Sequence, residues 1–525
     1  MDGLSVVSAI AHRRRQAILL IGLFAWLSAA GLAVCTVRGL GLSPDSTAYV
    51  GAARSLMNGH GFSLPSEAGA YLPISHYPPL YSLLLTGVGL LGVDPLVGAR
   101  WVNIICLTAI VGLGGLIVWR ATASLFWSAM TAVMMGMSYP VLLVHTMVWS
   151  EPLFLVLLLV GVWALIHAIE NCSWPALIAA ALAAGLAVTV RYAGFAAVPA
   201  GLAALLWLSP QGRRQKWLSA SVFLALSLAP IACWLLRNSI VAGSSTNRNW
   251  VFHPLGSDHW NQFLLTLSRW VTAVWHAAPE VRLLVLVVSV AVVVGTWLLD
   301  RRQPVIGLVT RPDASVRVMA VCGFFVGGYF AMLFLTISFL DYQTPLDARI
   351  LSPLLVFAVI VGATAAARWL GRQATFATAL LAVLLMIWLT SAQMALSVPW
   401  LTLVHDEGVG YNSRHWAESE LLRHLRQVDG ASRIVSNAPD VIYALLDRPS
   451  VMLPRKVHTD TRQPNSAFAA EIETLRQSAR NVPTLVVVFN SIGWRWYLPT
   501  ADELGNLLPL QALLHAEDGT IFRIL

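Results

Sequence analysis

Charged residues are scarce in this chain. Of its 525 residues only 11% are Asp, Glu, Lys or Arg, against roughly 25% in ordinary soluble domains. That balance excludes a chain that is soluble throughout. Cysteine is sparse as well: Cys35, Cys106, Cys172, Cys233 and Cys322 lie in or beside apolar runs without close pairing, which excludes a disulfide framework or a cysteine-built zinc site. No glycine-rich phosphate cradle follows a strand, so a nucleotide-binding loop is not expected. No internal repeat stands out. The first apolar run is full-length and lacks a small-residue cleavage site, so no cleavable leader is expected. The net charge of +8 would suggest nucleic acid in a soluble protein. Basic residues at membrane ends explain it more simply, and no nucleic acid partner is expected.

What the chain has in abundance is apolar sequence, 57% of it. Runs of ~20 residues recur, each long enough to cross a hydrocarbon core. Arg13, Arg14 and Arg15 precede a span over about 17–37, which places the N-terminus in the cytoplasm and the following loop outside. Further spans are predicted at 99–118, 122–140, 152–169, 175–190, 194–209, 217–236, 281–299, 318–340, 350–367 and 374–396, about eleven in all by length and apolarity. The apolar segment 79–92, only ~14 residues long, is too short to span and is read as interfacial or partly buried. With this count the basic turns (Arg120; Arg213, Arg214 and Lys216; Arg301 to Arg317; Arg368 and Arg372) fall on the inner side. The loops rich in aromatic, His and acidic residues fall on the other. Chief among these are the first outer loop, 38–98, and the loop 237–280. The fold class expected is therefore a polytopic α-helical membrane domain over 1–398, in the cell membrane.

After Pro399 charged residues become frequent. Period-two runs at 433–436 and 484–489 read as strands, with helical patterns at 414–427 and 466–480. Residues 399–525 are expected to form a soluble α/β domain of about 125 residues on the extracytoplasmic side.

Several short segments then occur in one order: Pro44-Asp45-Ser46-Thr47-Ala48-Tyr49, Tyr77-Pro78-Pro79-Leu80, Ser150-Glu151-Pro152-Leu153-Phe154, Arg191-Tyr192-Ala193-Gly194 and Arg349-Ile350-Leu351-Ser352-Pro353-Leu354. Together, over roughly 10–400, they resemble the GT-C class of membrane glycosyltransferases, nearest to family 39 and the aminoarabinose-transferase-like branch. The resemblance implies transfer of a sugar from a polyprenyl-phosphate carrier to a glycan, glycolipid or protein acceptor on the extracytoplasmic side. It also implies that the first-loop carboxylate, here Asp45, is the catalytic base. Two departures stand out. Asp45 is followed by Ser46 where many members carry a second acid, and Tyr77 precedes Pro-Pro-Leu where the aminoarabinose-transferase branch has Lys.

The chemistry asks for the same parts. A neutral hydroxyl needs a base as it attacks an anomeric carbon, and the leaving phosphate needs positive charge or hydrogen-bond donors. Asp45 suits the first task, with Glu151 as a second acidic residue that positions the acceptor. Arg54, His76, Tyr77, Arg191 and Arg349 are the candidates for the donor phosphate, and Tyr49, Tyr192 and Tyr342 for substrate. Trp149 and Trp250 are candidates to flank a sugar. No cofactor is required, although Asp45 and Glu151 could together hold a divalent cation such as Mg2+, Mn2+ or Ca2+. One base and a single displacement predict inversion at the anomeric carbon.

Each residue also has a structural alternative. Asp45 could be the N-cap of a helix over 46–57. Glu151 before Pro152 suits a first helical turn. Arg191 and Arg349 could snorkel at helix ends. The His residues of loop 237–280 are too widely spread for ligands, and most are read as solvated. A polytopic transporter or flippase of lipid-linked sugars, or a non-catalytic scaffold of the same fold, are the alternatives for the whole chain.

Overall fold

A computed structural model of the chain describes residues 3–67, 69–248, 250–272, 313–373 and 376–525. The expected span 281–299, His276 and the basic pair Arg301–Arg302 lie outside them. Helix α1 (Gly3–Cys35) is followed by the first-loop elements: α2 (Pro44–Met57), a hairpin of β1 (Ser63–Pro65) and β2 (Tyr71–Pro73), and α3 (Leu80–Leu90). Then come α4 (Pro95–Thr122), α5 (Leu125–Met137), α6 (Tyr139–His145), α7 (Glu151–Asn171) and α8 (Trp174–Val190). A short 3-10 turn leads into α9 (Ala197–Leu208), followed by α10 (Arg213–Ala242) and α11 (Ser257–Val271). The helices of the apolar region close with α12 (Ala314–Phe339), α13 (Ser352–Gln373) and α14 (Phe376–Asp406).

Seven of these helices (α1, α4, α7, α10, α12, α13 and α14) are long and apolar enough to cross a membrane, which makes this a multi-pass membrane protein. The pair α5 and α6 would make up to eight if counted as one span, bent by 52°. The bend sits at Ser138, whose extended backbone lies two residues ahead of Pro140, and a proline inside a continuous helix would lose the hydrogen bond to the carbonyl four residues back and clash with it. The count of eleven spans is thus not confirmed among the described residues. Helix α8 and the segment 192–208 are apolar but shorter, and 281–299 is not described. Helix α3, at 11 residues, is the short element that the 79–92 segment predicted. It buries Tyr81 and Leu85 and exposes Leu83 and Leu90.

The last membrane helix runs through Pro399 to Asp406, so the change in composition precedes the change in structure by about two turns. Beyond it a five-stranded sheet forms in the order β4-β3-β5-β7-β6, from β3 (Arg433–Ser436), β4 (Val451–Met452), β5 (Thr484–Phe489), β6 (Leu510–Ala516) and β7 (Gly519–Ile524). Strands β3, β4 and β5 are parallel, while β7 and β6 run antiparallel to their neighbours. Strand β5 is buried at every residue, as its unbroken apolar run requires of a central strand covered on both faces.

The first loop is packed between this sheet unit and the membrane helices. Tyr49, Val50 and Ala53 of α2 share a core with Trp416, Leu421, Ile434, Val487 and Phe489. Ala52 packs instead with Val188, Ile231 and Trp234. The small side chains of α2 let the sheet unit approach closely: a Cβ at Gly51 would meet the Tyr443 ring at 3.0 Å. A backbone seam then fixes register. Gly41 N–H donates to Thr146 O (2.9 Å), Val148 N–H to Gly41 O (2.9 Å), and Tyr411 N–H to Leu42 O (2.9 Å). Gly410 lies on that seam at φ +59, and a side chain there would press on the Leu42 carbonyl.

The bundle separates two polar ends. Glu151 opens α7, and Glu170 near its far end pairs with Arg120 (2.5 Å) and Arg317 (3.1 Å). From residue 151 to residue 170 an α-helix rises about 28 Å, close to the ~30 Å of a hydrocarbon core.

Candidate active site

Asp45 stands in the first turn of α2, but it does not cap the helix. The N-cap is Ser43, in a capping box with Ser46, and Pro44 takes the first helical position. This leaves the Asp45 carboxylate free to point away from its own backbone. The seam through Gly41 and Leu42 brings it beside the 146–151 connection. That connection is held in turn by the buried Asn103, whose amide donates to His145 O (2.9 Å) and Met147 O (2.8 Å).

Four charged groups converge there. Arg349 Nη2 donates to Asp45 Oδ2 at 2.6 Å, and Arg349 Nε donates to Glu151 Oε1. Arg191 Nη1 lies 2.7 Å from the same Glu151 oxygen. Tyr77 OH donates to Asp45 Oδ1 at 2.8 Å. Arg349 is held from several sides. Its guanidinium stacks 3.9 Å from the Trp149 ring centroid. Its turn is closed by Asp347 Oδ1 accepting Ile350 N–H (2.9 Å) and by Tyr329 OH donating to Ile350 O (2.8 Å). Trp149 is itself tied to the start of α2, its Nε1 donating to Ser43 Oγ at 2.8 Å. Tyr49 joins through Ser150, the two hydroxyls 3.1 Å apart.

Asp45 is 27% exposed and Glu151 only 2%. Burial alone would raise the Asp45 carboxyl, but Arg349 and Tyr77, with Arg191 behind them, hold it below the usual carboxylate range. The Arg349 guanidinium, buried beside two carboxylates, is held firmly protonated. Glu151 Oε2 is buried without a hydrogen-bond partner among the described residues.

His76, beside Tyr77 at 5.1 Å between ring centroids, is pushed down to about 4 by burial and by the neighbouring Arg248 charge. It is a neutral imidazole at pH 7. Tyr192 donates to Ser75 O at 3.3 Å and accepts from Trp234 Nε1 at 3.4 Å, which fixes the chain just ahead of His76. Arg237 fixes the same stretch through Ile74 O (2.9 Å) and Phe62 O (3.1 Å).

Other expected residues lie apart from the cluster. Arg54 pairs with Asp94 at 3.2 Å on the exposed end of α2, some two and a half turns, about 14 Å along the helix, from Asp45. Tyr342 packs under Arg462 (4.1 Å from guanidinium to ring centroid) and against His259. Trp250 is 77% exposed against Phe339. The loop histidines depart from the expectation of solvated side chains: His253 and His259 are buried and reach Thr461 O (3.2 Å) and Tyr342 O (2.8 Å). Each has found a backbone carbonyl on another segment, a pairing that sequence spacing does not reveal.

The sequence reading passed over Arg248. Its Nε is buried without a hydrogen-bond acceptor among the described residues, and its guanidinium lies 5.9 Å from the Tyr192 ring centroid. Its charge reaches both His76 and Asp341: burial raises the Asp341 carboxyl, and Arg248 opposes that rise. A single Arg in a polar loop carries no periodic signal, so only the fold distinguishes it.

The residues present fit a divalent ion poorly. Both Asp45 oxygens and one Glu151 oxygen already accept from cationic or hydroxyl donors. No group of three or more His, Cys, Asp or Glu able to hold a metal occurs among the described residues.

No family model and no curated relative matches the sequence. The fold does find counterparts among solved structures. The chain is similar to ArnT from Cupriavidus metallidurans in its apo state (TM-score 0.59, 13% identity, 95% of this chain and 97% of that one). It is similar to the same enzyme bound to undecaprenyl phosphate (TM-score 0.57, 12% identity, 95% and 97%). It is also similar to the archaeal oligosaccharyltransferase AglB from Archaeoglobus fulgidus, in complex with an inhibitory peptide and a dolichol-phosphate (TM-score 0.51, 12% identity, 95% and 73%). The fold is that of the GT-C glycosyltransferases.

Proposed function

We propose that this chain is an integral-membrane glycosyltransferase that moves a sugar from a polyprenyl-phosphate carrier to an acceptor hydroxyl at the extracytoplasmic face, with inversion. The observation that carries this reading is the Asp45 carboxylate: anionic, partly exposed, and oriented by Arg349 and Tyr77 where the membrane helices meet the polar end. The bound states of the structural neighbours, undecaprenyl phosphate on ArnT and dolichol-phosphate on AglB, support the carrier class.

In the proposed step the acceptor oxygen attacks the anomeric carbon from the face opposite the carrier. The bond from that carbon to the phosphate oxygen breaks, the electron pair leaves with polyprenyl phosphate, and the acceptor proton passes to Asp45. The lowered Asp45 value keeps the carboxylate anionic at neutral pH at some cost in basicity, so the rate rests on placement. Glu151 is too enclosed to meet the acceptor in this conformation. Its part is to hold Arg191 and Arg349. Among the described residues Arg248 is the cation we assign to the leaving phosphate, with the neutral His76 as a hydrogen-bond donor beside it.

The N-terminus is then cytoplasmic and the sheet unit extracytoplasmic, above the site. Ionisable side chains of the described membrane helices lie toward the two ends, which favours a surface reaction over the midplane binding of a transporter. The test is incubation of the purified chain in proteoliposomes with labelled polyprenyl-phosphate sugars and a panel of glycan, glycolipid and peptide acceptors. Label in the acceptor is the expected result. Label that only moves between leaflets would identify a flippase.

A further inference from the structure

Arg349 is placed as a metal ion would be, between two carboxylates from different segments of the chain. It meets Asp45 through Nη2 at 2.6 Å and Glu151 through Nε, using two separate N–H directions of one planar group. The Trp149 ring at 3.9 Å fixes that plane from one side. A lysine, with one point charge, could not span the two acids with the same geometry. Arg191 adds a second guanidinium on Glu151 at 2.7 Å. The two carboxylates and two guanidiniums sum to zero charge in a largely enclosed site. A divalent ion inserted among them would lie against two fixed cations and would have to displace either Arg349 or Tyr77 from Asp45. Hard divalent cations also ask for six or more oxygen ligands. The Asp45 and Glu151 oxygens here are mostly taken, and Glu151 Oε2, which has no partner among the described residues, is buried.

We propose that Arg349 is the built-in cation of this two-carboxylate site, bridging Asp45 and Glu151 so that the reaction runs with no divalent metal between them. Two consequences follow. Arg349 orients Asp45 as a positioning residue, and it is not available to the donor phosphate. That task falls to other cations. The binding arm of the test stands independently of the glycosyl-transfer reading, and only its activity arm rests on it.

The experiment is Mn2+ titration of the purified full-length chain, followed by electron paramagnetic resonance, alongside transfer assays in EDTA and in added Mg2+ or Mn2+. The wild type is expected to hold no Mn2+ at this site and to keep its activity in EDTA. Arg349→Met, which takes the bridging guanidinium off both carboxylates, is expected to gain one Mn2+ site that a further Glu151→Gln removes. Arg349→Lys keeps the charge but not the bridge. It is expected to lose roughly tenfold or more in kcat with little change in donor KM. Wild-type protein that binds Mn2+ and loses it on Asp45→Asn would overturn the proposal. So would a folded Arg349→Met chain that binds none, or an Arg349→Lys enzyme of full activity. If no donor is turned over at all, the glycosyl-transfer reading fails, while the Mn2+ arms still decide the role of Arg349.

Discussion

Around Asp45, side chains of similar sequence appearance have separate tasks, and measurement can tell them apart. Arg349 and Arg191 are spent on carboxylates, whereas Arg248 has a buried Nε with no acceptor among the described residues. Replacing Arg248 with Gln is therefore expected to lower kcat/KM for a lipid-phosphate donor roughly 10- to 100-fold, the range of one charge-assisted hydrogen bond. Steady-state kinetics with donor varied at fixed acceptor would show it. His76 makes a pH-dependent contribution. Its value falls from 6.5 in the free side chain to about 4 here, so below pH 6.5 the unfolded chain binds the proton that the folded one refuses. Stability is then complete above pH 6.5 and declines as pH drops toward 4. Thermal melts across pH 4–7 are expected to fall more steeply for wild type than for His76→Gln. Parallel slopes would show that His76 is not the titrating group.

At the level of elements, the sheet unit is tied to the segment that follows the last membrane helix through a buried polar network. Arg495, with its side chain 3% exposed, pairs with Asp440 at 2.8 Å and donates to Asn437 O at 2.6 Å. Tyr411 OH donates to the same Asp440, two residues past the 406–409 connection to the last membrane helix. Asp440→Ala would strand a buried guanidinium, at about 3–5 kcal/mol. The expected result is faster proteolysis between residues 407 and 413 and a lower melting temperature. An unchanged digestion pattern would mean that the seam through Gly41, Leu42 and Tyr411 holds the unit unaided. This interface also marks what could be read in advance. Strands 433–436 and 484–489 and the order of the membrane helices followed from residue periodicity and length. Asp45, Tyr77, Glu151, Arg191 and Arg349 came from motif order, and the structure draws all five together. Arg54 lies apart from them because α2 turns it toward Asp94. Arg248, the buried histidines of the 253–259 stretch and the Ser43 cap depend on partners far away or on local backbone geometry, neither of which a linear pattern carries.

For the whole molecule, the account requires a polar reaction end and an opposite end locked by Arg120, Glu170 and Arg317, one membrane thickness apart. Cys172 is exposed at the second end, and Gln463 is exposed on the sheet unit. In intact cells a membrane-impermeant maleimide is expected to label Gln463→Cys in a background without the five native cysteines. Cys172 as the sole cysteine should react only after permeabilisation. The reverse pattern would invert the topology and move Asp45 to the cytoplasmic face. The most direct test of the central claim is single-turnover sugar transfer from a polyprenyl-phosphate donor by wild type, Asp45→Asn and Asp45→Glu, all verified as folded. A loss of ~100-fold or more in Asp45→Asn, with partial activity in Asp45→Glu, is the predicted result for a general base. Equal rates in wild type and Asp45→Asn would contradict it.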